Sequence, residues 1–347
     1  MDTDTTSPLR RALRAVAIAA CVPYLSLKTA WIAGSDLGIP EGSELLEHRA
    51  TMAAVNTLTV LMDAAVIVIA FALTRPWGRR APAWLLLLPL WVATGLLAPI
   101  VTGYPLQLVG QLLGGSKPVA DNGDPFLHEW VFGVVYTGFG VQALALGGLF
   151  ALYARDRWGV LLTGRLRDLP GTVQGLAVRR TFGVVAAVLA LLVGGVHAMW
   201  AVGADAGLSP YLAGHRTTTF YLNEGLDTLW CLAAAAAAVV VAFPALRPAA
   251  RVRTVVALGW TGGATVAAWG GWLLLASLLQ DSVPGDGKQL SQLMNVAYAG
   301  QMITGVLLLL LGAQLLAERA AAALPASVAS EAASEAASES AASRQPA

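Results

Sequence analysis

The stretch PYLSLKTAWIAGSDLGIP, residues 23–40, places Lys28 inside an otherwise apolar run and then leaves that run through a glycine-rich segment. The same pattern returns at a constant sequence offset of 169, with His197 in place of Lys28 and Trp200 in place of Trp31. The G-x-D-x-G motif that follows is also repeated, as Gly34, Asp36 and Gly38 and then as Gly203, Asp205 and Gly207. We interpret the two copies as the lip of a site built from two related halves.

The composition around these copies is that of an integral membrane protein. The 347 residues are 56% hydrophobic and only 12% charged, against about 25% charged in ordinary globular domains. The charges cluster between long apolar runs, as in a polytopic membrane protein. A net charge of +1 gives no indication of a nucleic-acid partner. Cys21 and Cys231 both lie in apolar segments, which argues against a disulfide framework or a thiolate metal site.

Eight apolar stretches approach or exceed the roughly 20 residues that a spanning helix needs. They cover residues 12–34, 51–74, 82–103, 128–153, 180–203, 222–245, 252–279 and 290–316. Arginines concentrate before the first stretch and after the second, fourth, sixth and eighth. The opposite loops carry few cations beside acidic residues such as Asp36, Glu41, Glu44, Glu47, Asp121, Asp124, Asp281 and Asp286. Because cytoplasmic loops are rich in Lys and Arg, we predict a multi-pass protein of the cell membrane with both termini in the cytoplasm.

Weaker matches extend the repeat beyond its first motif. Tyr136 and Gly138 pair with Tyr298 and Gly300 at an offset of 162, and Arg75-Pro76 pairs with Arg247-Pro248. Since four helices per unit is an even number, the two units are parallel rather than inverted repeats. The predicted fold is therefore all-α, with eight transmembrane helices in two parallel four-helix repeats, residues 1–175 and 176–319. Residues 320–347 form an Ala/Ser/Glu-rich tail that is predicted to be disordered.

Three carboxylates are candidate catalytic acids because ionisable groups inside a membrane are costly and usually functional. Asp63 lies near the middle of the second stretch, where it must be paired or protonated, with Lys28 or His197 as a possible partner. Asp227 lies nearer the start of the sixth stretch. Glu129 begins the fourth stretch, where an ordinary helix-start carboxylate is the alternative interpretation.

The remaining polar and aromatic side chains also fall in the outer halves of the stretches, which predicts a cavity open to the outside or to the outer leaflet. Candidate substrate-binding residues are Lys28, His197, Trp200, Tyr136, Trp230, Tyr298 and Gln301. Plainer interpretations exist, since Lys28 can snorkel to the headgroups, His197 can be a hydrogen-bonded interior histidine, and tryptophans form interfacial belts. The inner halves are nearly featureless, so the sequence indicates no polar path to the cytoplasm.

The chemistry that fits these residues is acid catalysis on an apolar substrate. A carboxylic acid kept neutral by burial can protonate a substrate, and aromatic faces stabilise the resulting cation. The sequence contains no Walker motif, dinucleotide fingerprint or H-E-x-x-H motif, so we expect no cofactor and no metal.

The PYL-x-LK-x-x-W-x-x-GS opening, together with the eight-helix arrangement, resembles a family of integral membrane proteins from high-GC bacteria. That family includes the membrane-bound cyclases of indole sesquiterpenoids. The resemblance implies a cyclase or isomerase that protonates a prenylated indole or a related terpenoid. It assigns no catalytic residue here, because the opening motif is not itself catalytic.

Two other functions remain open at this point. Parallel repeats and buried charges also occur in secondary transporters, in which Lys28, His197 and Asp63 would bind a proton and an anion. Against a transporter stand the apolar inner halves and the lack of prolines at matching mid-helix positions. A sensor or assembly partner without chemistry is the third possibility, and it is favoured if side chains of the protein fill the outer cavity.

Overall fold

A computed structural model describes residues 7–47, 49–114, 127–169, 173–280 and 289–342. Several of the loop charges used to predict the orientation lie outside these residues, namely Lys117, Asp121, Asp124, Asp281, Asp286 and Lys288. The described part of the chain is entirely helices and connecting segments, apart from one isolated bridge between Arg165 and Arg251. The predicted all-α class is therefore confirmed.

Eight long helices account for most of the described residues. They are α1 Pro8–Ile32, α2 Arg49–Ala72, α3 Ala83–Leu112, α4 Glu129–Leu162, α5 Val173–Ala201, α6 Thr218–Ala242, α7 Val252–Gln280 and α8 Gln292–Ala342. Short helical turns occupy Glu44–Glu47, Pro76–Arg80, Leu166–Asp168, Pro210–Gly214 and Pro244–Leu246. Each predicted stretch therefore corresponds to one long helix. The helices α3 and α4 extend well beyond the predicted ends, to Leu112 and Leu162, because an apolar count marks only the part of a helix that suits lipid.

Seven of the eight helices are long and apolar enough to cross a membrane within the described residues. The exception is α7, which is 29 residues long but is not among the seven found within the described residues. The chain is therefore a multi-pass membrane protein by helix length and composition.

The end of α8 differs from the prediction of a disordered tail. The helix continues to Ala342, and residues 343–347 lie outside the described part of the chain. Ala and Glu are strong helix formers, which explains why a segment without an apolar stripe continues the helix that precedes it.

The two halves of the chain pack differently. In the second half, α5 and α7 each contact both α6 and α8, so the four helices form a closed ring. In the first half, α1 contacts α2 and α4, and α3 contacts α4. However, α3 barely touches α2 and packs most extensively against α7. Gly95 allows this approach, because a Cβ at that position would overlap the backbone carbonyl of Ala264. The contact between α3 and α7 is thus the seam that joins the halves.

The arginine-rich ends of the helices are held by matching ion pairs. Arg10, at the start of α1, contacts Asp156 of α4 at 2.5 Å. Arg179, near the start of α5, contacts Glu318 of α8 at 3.2 Å. The two arginines are related by the offset of 169 and the two acids by the offset of 162, as in the sequence motifs. The same pair of helices is therefore tied in the same way in each half.

The repeated G-x-D-x-G segments adopt the same backbone geometry. The indole Nε1 of Trp31 donates to the carbonyl of Leu37 at 2.7 Å, and that of Trp200 donates to the carbonyl of Ala206 at 2.9 Å. The glycines that follow each helix have left-handed φ angles, +90° at Gly34 and +97° at Gly203. Such angles suit glycine because it has no Cβ.

Each G-x-D-x-G segment packs against the last helix of its half, which is α4 in the first half and α8 in the second. A Cβ on Gly38 would lie 2.5 Å from a methyl group of Val131 in α4, and a Cβ on Gly207 would overlap Leu293 in α8. The carbonyl of Gly38 accepts the backbone N–H of His128 at 2.9 Å, and that of Gly207 accepts the hydroxyl of Ser291. Both contacts fix the ends of α1 and α5 from which Lys28 and His197 project.

Candidate functional site

The position shared by Lys28 and His197 carries a hydrogen-bonded pair in each half. Lys28 Nζ donates to Asn56 Oδ1 at 2.7 Å, and His197 Nδ1 lies 2.6 Å from Glu224 Oε2. Asn56 on α2 and Glu224 on α6 are related by nearly the same offset as their partners, 168 against 169. At the same place, the first half thus holds a lysine with a neutral acceptor, and the second half holds a histidine with an acid.

The second of these pairs belongs to a cluster of three ionisable groups, which we call the acid cluster: His197, Glu224 and Asp227. Asp227 Oδ2 lies 3.9 Å from His197 Nδ1. His197 is completely buried, while the side chains of Glu224 and Asp227 keep 10% and 20% of their surface exposed. The cluster is therefore sheltered on the histidine side and reachable on the side of Asp227.

Two aromatic residues border the buried imidazole. The ring of Trp200 lies edge-on to it at 5.4 Å between centroids, and the ring of Tyr298 stacks over it at 6.5 Å. The Nε2 atom of His197 is buried and has no hydrogen-bond partner among the described residues. Since buried polar atoms are normally partnered, this nitrogen has unused capacity to bind a proton, a water molecule or a ligand.

Asp63 has a different partner from the two that the sequence suggested. Its Oδ1 accepts the amide of Gln142 in α4 at 3.3 Å, and both residues are buried. Lys28 and His197 are engaged by Asn56 and Glu224 instead. The other oxygen of Asp63, Oδ2, is buried without a hydrogen-bond partner among the described residues. Asp63 is therefore a separate buried carboxyl site in the first half.

Of the remaining predicted site residues, Gln301 lies near the acid cluster, whereas Tyr136 and Glu129 lie on α4 in the first half. Gln301 follows Tyr298 by one turn on α8, and its buried amide has no partner among the described residues. Tyr136 packs against the ring of Tyr104 at 5.2 Å between centroids. Its counterpart in the repeat, Tyr298, stacks over His197. Glu129 is exposed at the first residue of α4, where a carboxylate favours the helix start.

An apolar cleft of about 220 Å³ lies between α3 and α4, and Trp230 of α6 is one of its lining residues. The cleft is lined by aliphatic and small residues such as Leu97, Val101 and Leu144, with Trp230 at one wall. Asp227 and Trp230 are three residues apart on α6 and so share a side of that helix. Through Trp230, the cleft borders the side of α6 that carries Asp227.

Two residues that sequence reasoning left out of the site are Asn56 and Glu224. Both are polar residues in apolar helices, and they follow their partners Lys28 and His197 at separations of 28 and 27. That near-equal spacing was the signal that could have identified them. Within the described part of the chain, no group of three or more His, Cys, Asp and Glu residues is arranged to hold a metal ion.

No protein family, curated protein or solved structure matches this chain. The acid cluster, its aromatic neighbours and the cleft are the features that bear on function.

Proposed function

We propose that the chain spans the membrane eight times as two parallel four-helix repeats, residues 1–175 and 176–319, with both termini in the cytoplasm. The repeat is supported by contacts that recur at constant offsets: the arginine–acid pairs, the tryptophan–carbonyl bonds, the glycine contacts and the Lys28–Asn56 and His197–Glu224 pairs. The orientation is supported by the arginine-rich loops. Counting α7 as the eighth span follows from its length and its place inside the helix bundle.

We further propose that the protein is a membrane-embedded enzyme of the cyclase or isomerase type, which protonates an apolar, prenylated substrate. The observation that carries this proposal is the acid cluster itself: an imidazole with a carboxylate at 2.6 Å, a second carboxylate beside it and aromatic rings on two sides. Buried ionisable groups in a membrane mark functional sites, and this arrangement supplies both a proton and a surface that tolerates positive charge.

The residues divide the work as follows. Asp227, the most exposed acid of the cluster, delivers the proton to an alkene or epoxide carbon of the substrate. The rearranged carbocation loses a proton to the His197–Glu224 pair, which gives the neutral product, and transfer of that proton to the Asp227 carboxylate restores the acid. The electron-rich face of Trp230, which lines the cleft, stabilises the carbocation, as aromatic faces do for cations within about 6 Å. Tyr298 and the fully buried Trp200 pack against His197 and hold it in place. The apolar cleft beside Trp230 accommodates the prenyl chain.

Substitutions at three positions test the proposal. Asp227→Asn, His197→Gln and Asp63→Asn keep size and hydrogen bonding but change proton transfer, and each variant would be assayed in detergent against a prenylated indole. General acid–base groups contribute about 10²–10⁴-fold in rate, so we expect the first two variants to lose at least about 100-fold in turnover. Asp63→Asn serves as the matched buried control and should retain turnover.

The opposite result would indicate that the active site lies elsewhere in the protein. If Asp63→Asn loses turnover while Asp227→Asn keeps it, the acid lies in the first half, next to Gln142. If neither matters although the wild type turns over the substrate, the acid proposal is wrong.

A proton-coupled secondary transporter is the second candidate, and the Asp63–Gln142 pair is the observation that favours it. A buried carboxyl group near the middle of a helix, within a repeated architecture, is typical of transporters. Transport requires sealed vesicles and a gradient, whereas enzymatic turnover persists in detergent. Substrate consumed in detergent therefore supports the enzyme, and Asp63-dependent uptake into proteoliposomes without product supports the transporter.

A further inference from the structure

We propose that Lys28 and Asn56 form a second binding site, which holds the phosphate group of a membrane amphiphile. This site lies in the first half of the chain, apart from the acid cluster, and it does not rest on the proposed enzymatic function. It explains why one half places a lysine where the other places a histidine with two acids.

The charge of Lys28 is the first reason. Among the described residues Lys28 forms no ion pair, and its one hydrogen bond goes to the neutral amide oxygen of Asn56. Its Nζ lies 4.8 Å from the ring of Trp31 and 5.1 Å from that of Tyr24. These rings and the amide hold the ammonium group in place, so it is not a side chain that extends freely towards the headgroups. A positive charge held in this way inside a membrane protein calls for an anion.

The unused hydrogen-bonding capacity around Lys28 is the second reason. Asn56 is 3% exposed, and its Nδ2 has no partner among the described residues. An ammonium group has three N–H donors and no acceptor, and only one of them is used by Asn56. The indole of Trp31 is already committed to Leu37. The free groups at this site are thus donors, so the ligand must supply acceptor oxygens.

The position along α1 indicates which anion fits. Lys28 lies four residues before Ile32, the last residue of α1, which at 1.5 Å per residue is roughly 6 Å from the helix end. A bilayer has a hydrocarbon core of about 30 Å and measures about 40–45 Å with its headgroup regions, so a residue one turn from the end of a spanning helix comes close to the headgroup phosphates. Lysine binds phosphate as a point charge, and the amide of Asn56 adds a directional bond.

The phosphate can belong to a membrane lipid or to a free or prenyl phosphate, and the experiment separates these sources. The full-length protein would be purified in dodecyl maltoside and titrated with dodecyl phosphate, with native mass spectrometry counting the bound molecules. We expect one saturable dodecyl phosphate per chain. Inorganic diphosphate that competes with it would identify a free anion as sufficient, whereas a lack of competition would show that the chain of the amphiphile is needed.

Three variants make the test specific. Lys28→Met should weaken binding by at least about tenfold, since hydrogen bonds to charged groups are the stronger class. Asn56→Asp gives Lys28 a counter-ion of nearly the same shape, so this variant should fold well and lose the phosphate. Arg49→Met removes an exposed cation that pairs with Asp36 and should bind as the wild type does.

The site is refuted if the wild type binds dodecyl phosphate without saturation, or if Asn56→Asp binds it as tightly as the wild type. Should Lys28→Met fail to fold, Lys28→Arg replaces it. That variant retains the charge and is expected to keep most of the affinity, while Asn56→Asp still decides the outcome.

Discussion

At the scale of single residues, His197 depends on Glu224 for the only close hydrogen bond that its ring makes among the described residues. We predict that Glu224→Leu lowers the free energy of unfolding by about 1–3 kcal/mol relative to Glu224→Gln, because leucine leaves the buried Nδ1 without an acceptor. Thermal or denaturant unfolding in detergent would measure the difference.

Leu229→Ala provides the control for this prediction. Leu229 lies on the same helix and is 61% exposed, so its truncation should change stability little. Equal stability of the two Glu224 variants would contradict the hydrogen bond between His197 and Glu224.

Sequence reasoning reached part of this site. Lys28, His197, Trp200 and Asp227 stand out because a charged or repeated residue inside an apolar stretch is visible without coordinates. The partners were harder to assign, because they lie on neighbouring helices whose rotation about their axes the sequence does not determine. Asp63 is an example. The sequence suggested Lys28 or His197 as its partner, but the rotation of the helices brings Gln142 to it instead.

At the scale of elements, the glycines of the segment after α5 allow a test of how that segment contributes to stability. Gly203 and Gly207 both have left-handed φ angles, +97° and +76°. That conformation costs an alanine about 1–2 kcal/mol of stability, so both alanine variants should be destabilised. Gly207→Ala should lose about 1–3 kcal/mol more, because its Cβ would overlap the side chain of Leu293, whereas Gly203 faces open space.

Unfolding measurements on the two variants in parallel would check this prediction. Similar losses for both would mean that the contact between the Gly207 segment and α8 contributes nothing to stability.

The helices themselves were predictable because apolar length alone identifies a stretch that suits lipid. Their ends were not, since α3 continues through Pro105 and α4 continues past Arg155 and Arg157. Helix propensity and local capping decide those ends. The same physics extends α8 through the Ala-rich segment that composition suggested to be disordered.

At the scale of the whole molecule, the arginine distribution predicts the orientation of the bundle. Reporter fusions after Arg80 and after Arg253 should have cytoplasmic activity, while fusions next to Lys117 or Asp286 should have external activity, because Lys and Arg are retained in cytoplasmic loops. Eight spans require all four results together. An external signal at Arg80 would contradict the topology, and a cytoplasmic signal at Asp286 would indicate that α7 does not cross the membrane.

The arrangement of the helices around one another was beyond the sequence. The sequence predicted two parallel four-helix repeats, yet only α5 to α8 form a closed ring, and α3 packs on α7. This preference depends on Gly95 meeting Ala264 and on the indole of Trp260 donating to the hydroxyl of Thr94 at 3.1 Å. Such contacts depend on shape and not on hydrophobicity, so neither the apolar pattern nor the repeat reveals them.

The seam between α3 and α7 has a consequence for biogenesis. The ribosome releases α3 well before α7, because α3 ends at Leu112 and α7 ends only at Gln280. At about 5–20 residues per second, this delay lasts roughly 8–34 s. During that time the Gly95 face of α3 has only lipid or the insertion machinery to contact. Completion of the first half is thus postponed until the second half is nearly synthesised, and a nascent chain arrested between the two helices would hold an unfinished bundle.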